Sequence, residues 1–242
     1  MPIGVLADTL SILFGGLIGA FAGKWLTDDF RENLNMIFGC CCLGMGISTI
    51  VLMENMPAVV FSLIIGTSVG LAVHLGEQIN RAAGGMQRVV SKFVKNNGNL
   101  PEKEFNATLV TIIVLFCASG TGIYGSIVSG MMGDHTILIT KAILDLFTAA
   151  IFACSLGLVV SVIAVPQFVI FFALFLLAGV IYPLTSEAMI ADFKACGGFI
   201  MLATGFRMLK VKMFPVADMI PAMILVMPVS ALWVNAILPL LS

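Results

Sequence analysis

Long apolar runs alternate with short polar breaks along the whole chain. The runs fall at about 9–26, 35–53, 57–76, 107–130, 136–163, 167–184, 195–209 and 215–240. The breaks read "KWLTDDFREN", "ENMP", "GDH", "VPQ", "TSEAMIADFK" and "KVKMFP". A run of roughly twenty apolar residues is the length that crosses a bilayer core as a helix. The pattern predicts an all-α polytopic membrane protein of about 7–8 transmembrane helices, forming one transmembrane domain over 1–242.

One stretch departs from this pattern. In "EQINRAAGGMQRVVSKFVKNNG", Ile79, Ala83, Met86, Val90 and Phe93 recur at helical spacing, with Arg81, Arg88, Lys92 and Lys95 between them. This predicts an amphipathic helix, either lying on an anionic leaflet or serving as a simple topology anchor. "NNGNLP" then marks a loop.

Composition narrows the class. The chain is 60% hydrophobic and 10% charged, against about 25% charged for soluble domains, and its mean hydropathy is +1.12. A net charge of −1 suggests no nucleic-acid partner. The start, "MPIGVLADTL", has no basic region and carries Asp8, so it does not read as a cleaved signal peptide. The six cysteines lie in apolar segments without a C-x-x-C. Cys40, Cys41 and Cys42 point about 100° apart around a helix and do not converge on one metal, so all six read as small packing residues and no cofactor is expected.

The positive residues set an orientation. If the basic loop is cytoplasmic, Arg81, Arg88, Lys92, Lys95, Lys103, Lys24, Arg31, Arg207, Lys210 and Lys212 all face inward, ten of the twelve Lys and Arg. Eight spans with both termini outside satisfy this assignment.

The chain also resembles itself. "FGCCCLGMGISTI" (38–50) aligns with "GGFIMLATGFRML" (197–209), matching Gly39 to Gly198, Leu43 to Leu202 and Gly46 to Gly205. In the same register "TD" (27–28) meets "SE" (186–187), and "LIGA" (17–20) meets "LLAG" (176–179). After a shift, "MPA" (56–58) meets "IPA" (220–222). The expected organisation is a first repeat over 1–76, a basic cytoplasmic loop with its interfacial helix over 77–105, central helices over 106–166 and a second repeat over 167–242. Under the charge assignment the copies are inverted, a common plan of secondary transporters. Gly15, Gly19 and Gly23 make a small-residue face for helix packing.

The central helices carry the candidate chemistry. "ATLVTIIVLFCASGTGIYGSIVSGMMGD" turns rich in Gly, Ser and Thr from Ser119 onward. Ser119, Gly120, Thr121 and Gly122 read either as a discontinuity facing a ligand, allowed where protein or a wet cavity surrounds it, or as a small face of a continuous helix. In "GDHTILITKAILDLFTAA" (133–150), Asp145 lies nine residues past Thr136, or ~13 Å into a core ~30 Å thick. Lys141 is one turn away, and Thr148 continues the face. Ionisable groups at this depth usually face a bundle interior or an aqueous path. Asp145 is the candidate cation or proton ligand, Lys141 its neutralising partner or an anion holder, and Asp134 stands at the outer mouth beside His135. The competing reading is a structural Lys141–Asp145 pair, which adds little net stability.

Enzyme signatures are lacking: there is no H-E-x-x-H, no G-x-S-x-G and no Walker loop, and "GMMGD" lacks the G-x-G-D of intramembrane aspartyl sites. "IIVLFCASGTGIYGS", "GMMGD", "ILITKAILDLFTAAIFACSLGL", "ADFKACGGFIMLATG" and "KMFPVADMIPA" resemble the YqgA/YdfK family of bacterial inner-membrane proteins over almost the full chain. His135 stands where a close relative is expected to carry Pro. The resemblance implies a multi-pass protein of the bacterial cytoplasmic membrane and brings no activity with it, since the family is a domain of unknown function. The expected function is a secondary transporter or ion-coupled carrier for a small solute with a coupling cation or proton. The alternatives are a membrane scaffold and a homo-oligomeric channel.

Overall fold

A computed structural model of the chain describes residues 1–22, 27–93 and 101–241. Gly23, Lys24, Lys95 and most of "NNGNLP" lie outside the described residues. Most of the described residues are helical, with no strand among them. In chain order the helices are α1 (Ile3–Ala22), α2 (Asp28–Ile50), α3 (Met56–Ala72), α4 (Leu75–Phe93), α5 (Glu102–Cys117), α6 (Gly120–Met132), α7 (Thr136–Leu156), α8 (Val159–Val162), α9 (Ala164–Ile181), α10 (Glu187–Met208), α11 (Ile220–Leu232) and α12 (Leu238–Leu241). Among the described residues, seven stretches are long and apolar enough to cross a membrane, or eight if the bent pair α3–α4 is one span.

Local chemistry sets the breaks. Ser119 caps α6 by accepting the Gly122 N–H at 3.1 Å, and Gly133 closes that helix at φ +70. Gly157, at φ +73, ends α7. Left-handed conformations of this kind cost a residue with a side chain, so glycine is the natural helix stop at both points. The run read as one segment over 136–163 is therefore two helices. α3 and α11 each open with proline, Pro57 and Pro221, whose missing N–H is not needed in a first turn.

Two sequence boundaries are corrected. The first helix begins at Ile3, not near 9, so Asp8 lies inside a span. The seventh begins at Glu187, not 195, because Ser186 caps it by accepting from the Met189 N–H at 3.3 Å. Asp192 is thus inside a helix rather than in a break.

The backbone groups into two compact units. The first comprises Met1–Asn35 and Gln78–Val180. Here α1 runs along α7 at very short range: a Cβ on Gly15 would lie 2.2 Å from the Leu146 carbonyl oxygen, and one on Gly19 would lie 2.0 Å from that of Ala150. Only glycine permits this approach. Ile12, Leu109, Ile113, Phe116, Leu156 and Ile163 form the core. Ala83 and Val90 of α4 belong to it, so the apolar face of the amphipathic helix packs on protein.

The second unit comprises Met36–Glu77 and Ile181–Ser242. α3 packs on α11, with Gly66 against Ala222. α2 packs on α10 in opposite directions. A Cβ on Gly46 would lie 2.7 Å from the Gly198 oxygen, and one on Gly198 would lie 2.8 Å from the Gly46 oxygen. Gly39 and Gly205 oppose each other in the same reciprocal way, at 3.1 and 2.9 Å.

Candidate functional site

Three charged side chains meet in the buried interior of the first unit. Lys141 and Asp145, one turn apart on α7, are bonded through Nζ and Oδ2. Asp8, five residues into α1, brings its Oδ2 to 3.3 Å from the same ammonium. Asp8 is 0% exposed and Lys141 is 4% exposed. The tight α1–α7 contact makes this possible, because it leaves the two helices with almost no space between their backbones.

α9 completes the cluster. Gln167 donates from Nε2 to Asp8 Oδ2 at 2.9 Å, and its Oε1 lies 2.7 Å from the Thr9 hydroxyl. Thr9 shares its one proton between that oxygen and the Val5 carbonyl, at 2.8 Å. Phe171, one turn further along α9, has its ring centroid 5.5 Å from Lys141 Nζ, within cation–π range.

The charge count is the important property. Two carboxylates share one ammonium, so the fully ionised cluster carries a formal charge of −1. An uncompensated buried charge is strongly unfavourable. Moreover, Asp8 Oδ1 is buried and has no hydrogen-bond partner among the described residues. A carboxylate oxygen left bare in such a place loses its hydration without compensation, at a cost of about 1–3 kcal/mol or more. The arrangement has both the charge and the lone pair to accept one positive charge.

The residues expected from the sequence divide as follows. Lys141 and Asp145 are paired and buried. Ser119 and Gly120 form a real break between α5 and α6, with the Ser119 hydroxyl engaged in capping. Gly122 touches the cluster indirectly: a Cβ there would lie 2.1 Å from Phe171 Cζ, so glycine lets the ring reach its position near Lys141. Thr121 is buried, and its Oγ1 has no hydrogen-bond partner among the described residues. Thr148 is buried but donates to the Leu144 carbonyl at 2.8 Å. Asp134 is half-buried and accepts from the Thr136 N–H at 3.0 Å, just ahead of α7. His135 Nδ1 lies 2.7 Å from Ser129 Oγ.

The sequence pattern does not single out Asp8 and Gln167 as site residues. Asp8 is a lone acid beside an apolar run, the same signal that singles out Asp145, but a run beginning at about 9 leaves it outside, whereas the helix begins at Ile3. Gln167 belongs to "VPQ", which reads as a polar break. It lies in α9 and is 0% exposed.

The second unit holds a buried carboxylate of another kind. Asp192 Oδ1 accepts from the Glu54 and Asn55 N–H groups at 3.0 and 2.8 Å. Its Oδ2 accepts from Asn55 Nδ2 at 3.0 Å and Ser230 Oγ at 2.6 Å.

Seven apolar spans and a buried ionic cluster define a multi-pass, all-α membrane protein. A family model described as a protein of unknown function (DUF554) matches residues 3–231, and the chain belongs to that family. It is 44% identical over 233 residues to the uncharacterized protein YqgA of Escherichia coli (strain K12), covering 96% of this chain and 98% of that one. It is 26% identical over 222 residues to the uncharacterized membrane protein YdfK of Bacillus subtilis (strain 168), covering 92% and 93%. No solved structure gives a significant match.

Proposed function

We propose that the chain is an ion-coupled secondary transporter for a small solute, with Asp8, Lys141 and Asp145 as its coupling site. The observation that carries this reading is the charge of the cluster: two carboxylates on one ammonium, buried in membrane-spanning helices, with one oxygen of Asp8 unpartnered among the described residues. Intramembrane ionisable groups of this kind mark ion and proton pathways more often than they mark stability. The α5–α6 break beside Phe171 supports it, since interrupted helices recur at transporter binding sites.

The reading includes an inverted repeat. The sequence alignment matches Gly39 with Gly198 and Gly46 with Gly205, each pair 159 apart (198 − 39 = 205 − 46 = 159). Asp8 and Gln167 are also 159 apart, and they bond to each other. The glycine contacts are reciprocal and the helices antiparallel, as a two-fold axis perpendicular to them requires. The protein is read as a non-enzymatic component of the bacterial cytoplasmic membrane, with the basic face of α4 toward the cytoplasm.

The test is charge movement by the full chain in proteoliposomes on a solid-supported membrane, after a pH jump and after a Na⁺ jump. The expected result is a transient current for one of the two cations, abolished by Asp8→Asn and by Asp145→Asn. Silence for both cations, with Asp145→Asn merely melting at lower temperature, would overturn the carrier reading. It would leave the cluster as a structural lock joining α1, α7 and α9.

A further inference from the structure

We propose that a groove in the first unit, between α4 and the α8–α9 junction, binds one anionic phospholipid. The groove has a volume of about 630 Å³ and is lined by Gly85, Met86 and Val89 on one side and Val162, Val165 and Pro166 on the other, with no polar side chain among its lining residues. Water would find few partners there, since a buried water needs two to four polar groups. Val89 and Val165 are more than half exposed, so the groove is open from outside. For a chain that crosses a bilayer, the apolar molecule of matching shape is an acyl chain.

An apolar groove alone does not select one lipid from another, because lipid tails are already in hydrocarbon. Selection comes from the rim. Arg81 and Arg88 are exposed on α4, and at ~100° per residue they lie with Gly85 inside an arc of about 60°. A cationic stripe thus borders the edge of the groove formed by Gly85. The acyl chain fills the groove, and the phosphate of an anionic headgroup meets the stripe. This assignment is independent of the carrier reading.

The experiment uses the full chain in a neutral detergent, with phosphatidylglycerol and phosphatidylcholine of identical acyl chains as probes, read by native mass spectrometry. One phosphatidylglycerol is expected to be retained in preference to phosphatidylcholine. Arg81→Gln and Arg88→Gln should each weaken it roughly fivefold, with phosphatidylcholine unaffected. Gly85→Leu should eliminate retention of both lipids. Nothing lies within 4 Å of a Cβ at Gly85, so this variant fills the groove without a clash, and leucine favours helix over glycine. Val165→Trp, on the opposite wall, is the second filling variant. Equal retention of the two lipids by the natural chain would overturn the proposal. So would phosphatidylglycerol binding that survives both filling variants, or a dimer that Gly85→Leu dissociates, which would assign the groove to a second copy.

Discussion

Asp8 and Asp192 are both fully buried aspartates on membrane-spanning helices, one in each unit. Asp192 accepts four hydrogen bonds from neutral donors, two on each oxygen. Two of those donors are the backbone N–H groups of Glu54 and Asn55, ahead of α3, so this carboxylate anchors that turn to α10. Asp8 takes its hydrogen bond from Gln167 and its ion pair with Lys141 on one oxygen, and the other oxygen has no hydrogen-bond partner among the described residues. It also shares its countercharge with Asp145. A saturated carboxylate is fixed in place. An unsaturated one that shares its ammonium with a second carboxylate keeps a free lone pair, and on the proposed function this difference is what would separate a structural acid from a working one.

The contrast is broken most severely by removing the ammonium. Lys141→Met leaves two buried carboxylates facing each other. Stability should fall by about 3–5 kcal/mol, the cost of stripping one partner from a buried pair. The triple variant Asp8→Asn/Lys141→Met/Asp145→Leu, which removes every charge of the cluster, should recover most of that loss. Urea unfolding in detergent, followed by helical circular dichroism, measures both. A single-variant loss no larger than that of a surface substitution would show that the cluster is well hydrated, and the charge argument would fail.

Next comes the direct comparison of the two acids. Asp192→Asn replaces an acceptor oxygen by an NH₂ that faces two donors, and a loss of about 1–3 kcal/mol is expected. The cation-evoked current should persist in whatever fraction remains folded. Asp8→Asn keeps an oxygen for Lys141 and Gln167 and removes a charge that lacks its own partner. It should cost less stability than Asp192→Asn and yet abolish the current. Thermal melts and charge-movement recordings on the same preparations test the pair. The reverse ranking would make Asp8 the structural acid.

The paired glycines sharpen the comparison from the side of the repeat. A Cβ at Gly46 or Gly198 enters the same gap from opposite helices. Gly46→Ala and Gly198→Ala should each destabilise by about 1–3 kcal/mol through overpacking. The double variant should cost less than the sum, because the first methyl has already forced the helices apart. Strict additivity in melts of the three variants would argue against one shared contact.

How far the sequence revealed these sites depended on what surrounded each residue. Asp145 and Lys141 were legible because they stand alone deep in an apolar run and are one turn apart. The α5–α6 break was legible in "SGTG", since Ser, Gly and Thr weaken a helix whatever packs against it. Asp8 and Asp192 lie near the ends of their helices, where a hydropathy pattern does not separate a span from its flank. Their roles depend on which helix packs against which, a tertiary fact that no local pattern carries. Gln167 shows the same limit: "VPQ" reads as a break, but Pro166 sits in the first turn of α9, where it is tolerated, and Gln167 is buried beside Asp8. The glycine matches at 39, 46, 198 and 205 were visible as letters. Their meaning as one reciprocal contact was not.

The smallest effect is expected at Thr148, the residue whose position most suggested participation. It lies on the face of α7 that carries Lys141 and Asp145 and is buried, yet its hydroxyl bonds back to the Leu144 carbonyl. That carbonyl is already an acceptor within the helix, so the extra bond adds little, and its loss exposes no orphan donor. Thr148→Val keeps the shape and removes only the hydroxyl. Stability should stay within about 0.5 kcal/mol, and the cation-evoked current should match that of the natural chain. A lost current at unchanged stability would mean that the Thr148 hydroxyl turns toward the cluster when the cation binds. The coupling site would then extend a further turn along α7, and its distinction from the saturated Asp192 site would rest on motion as well as on charge.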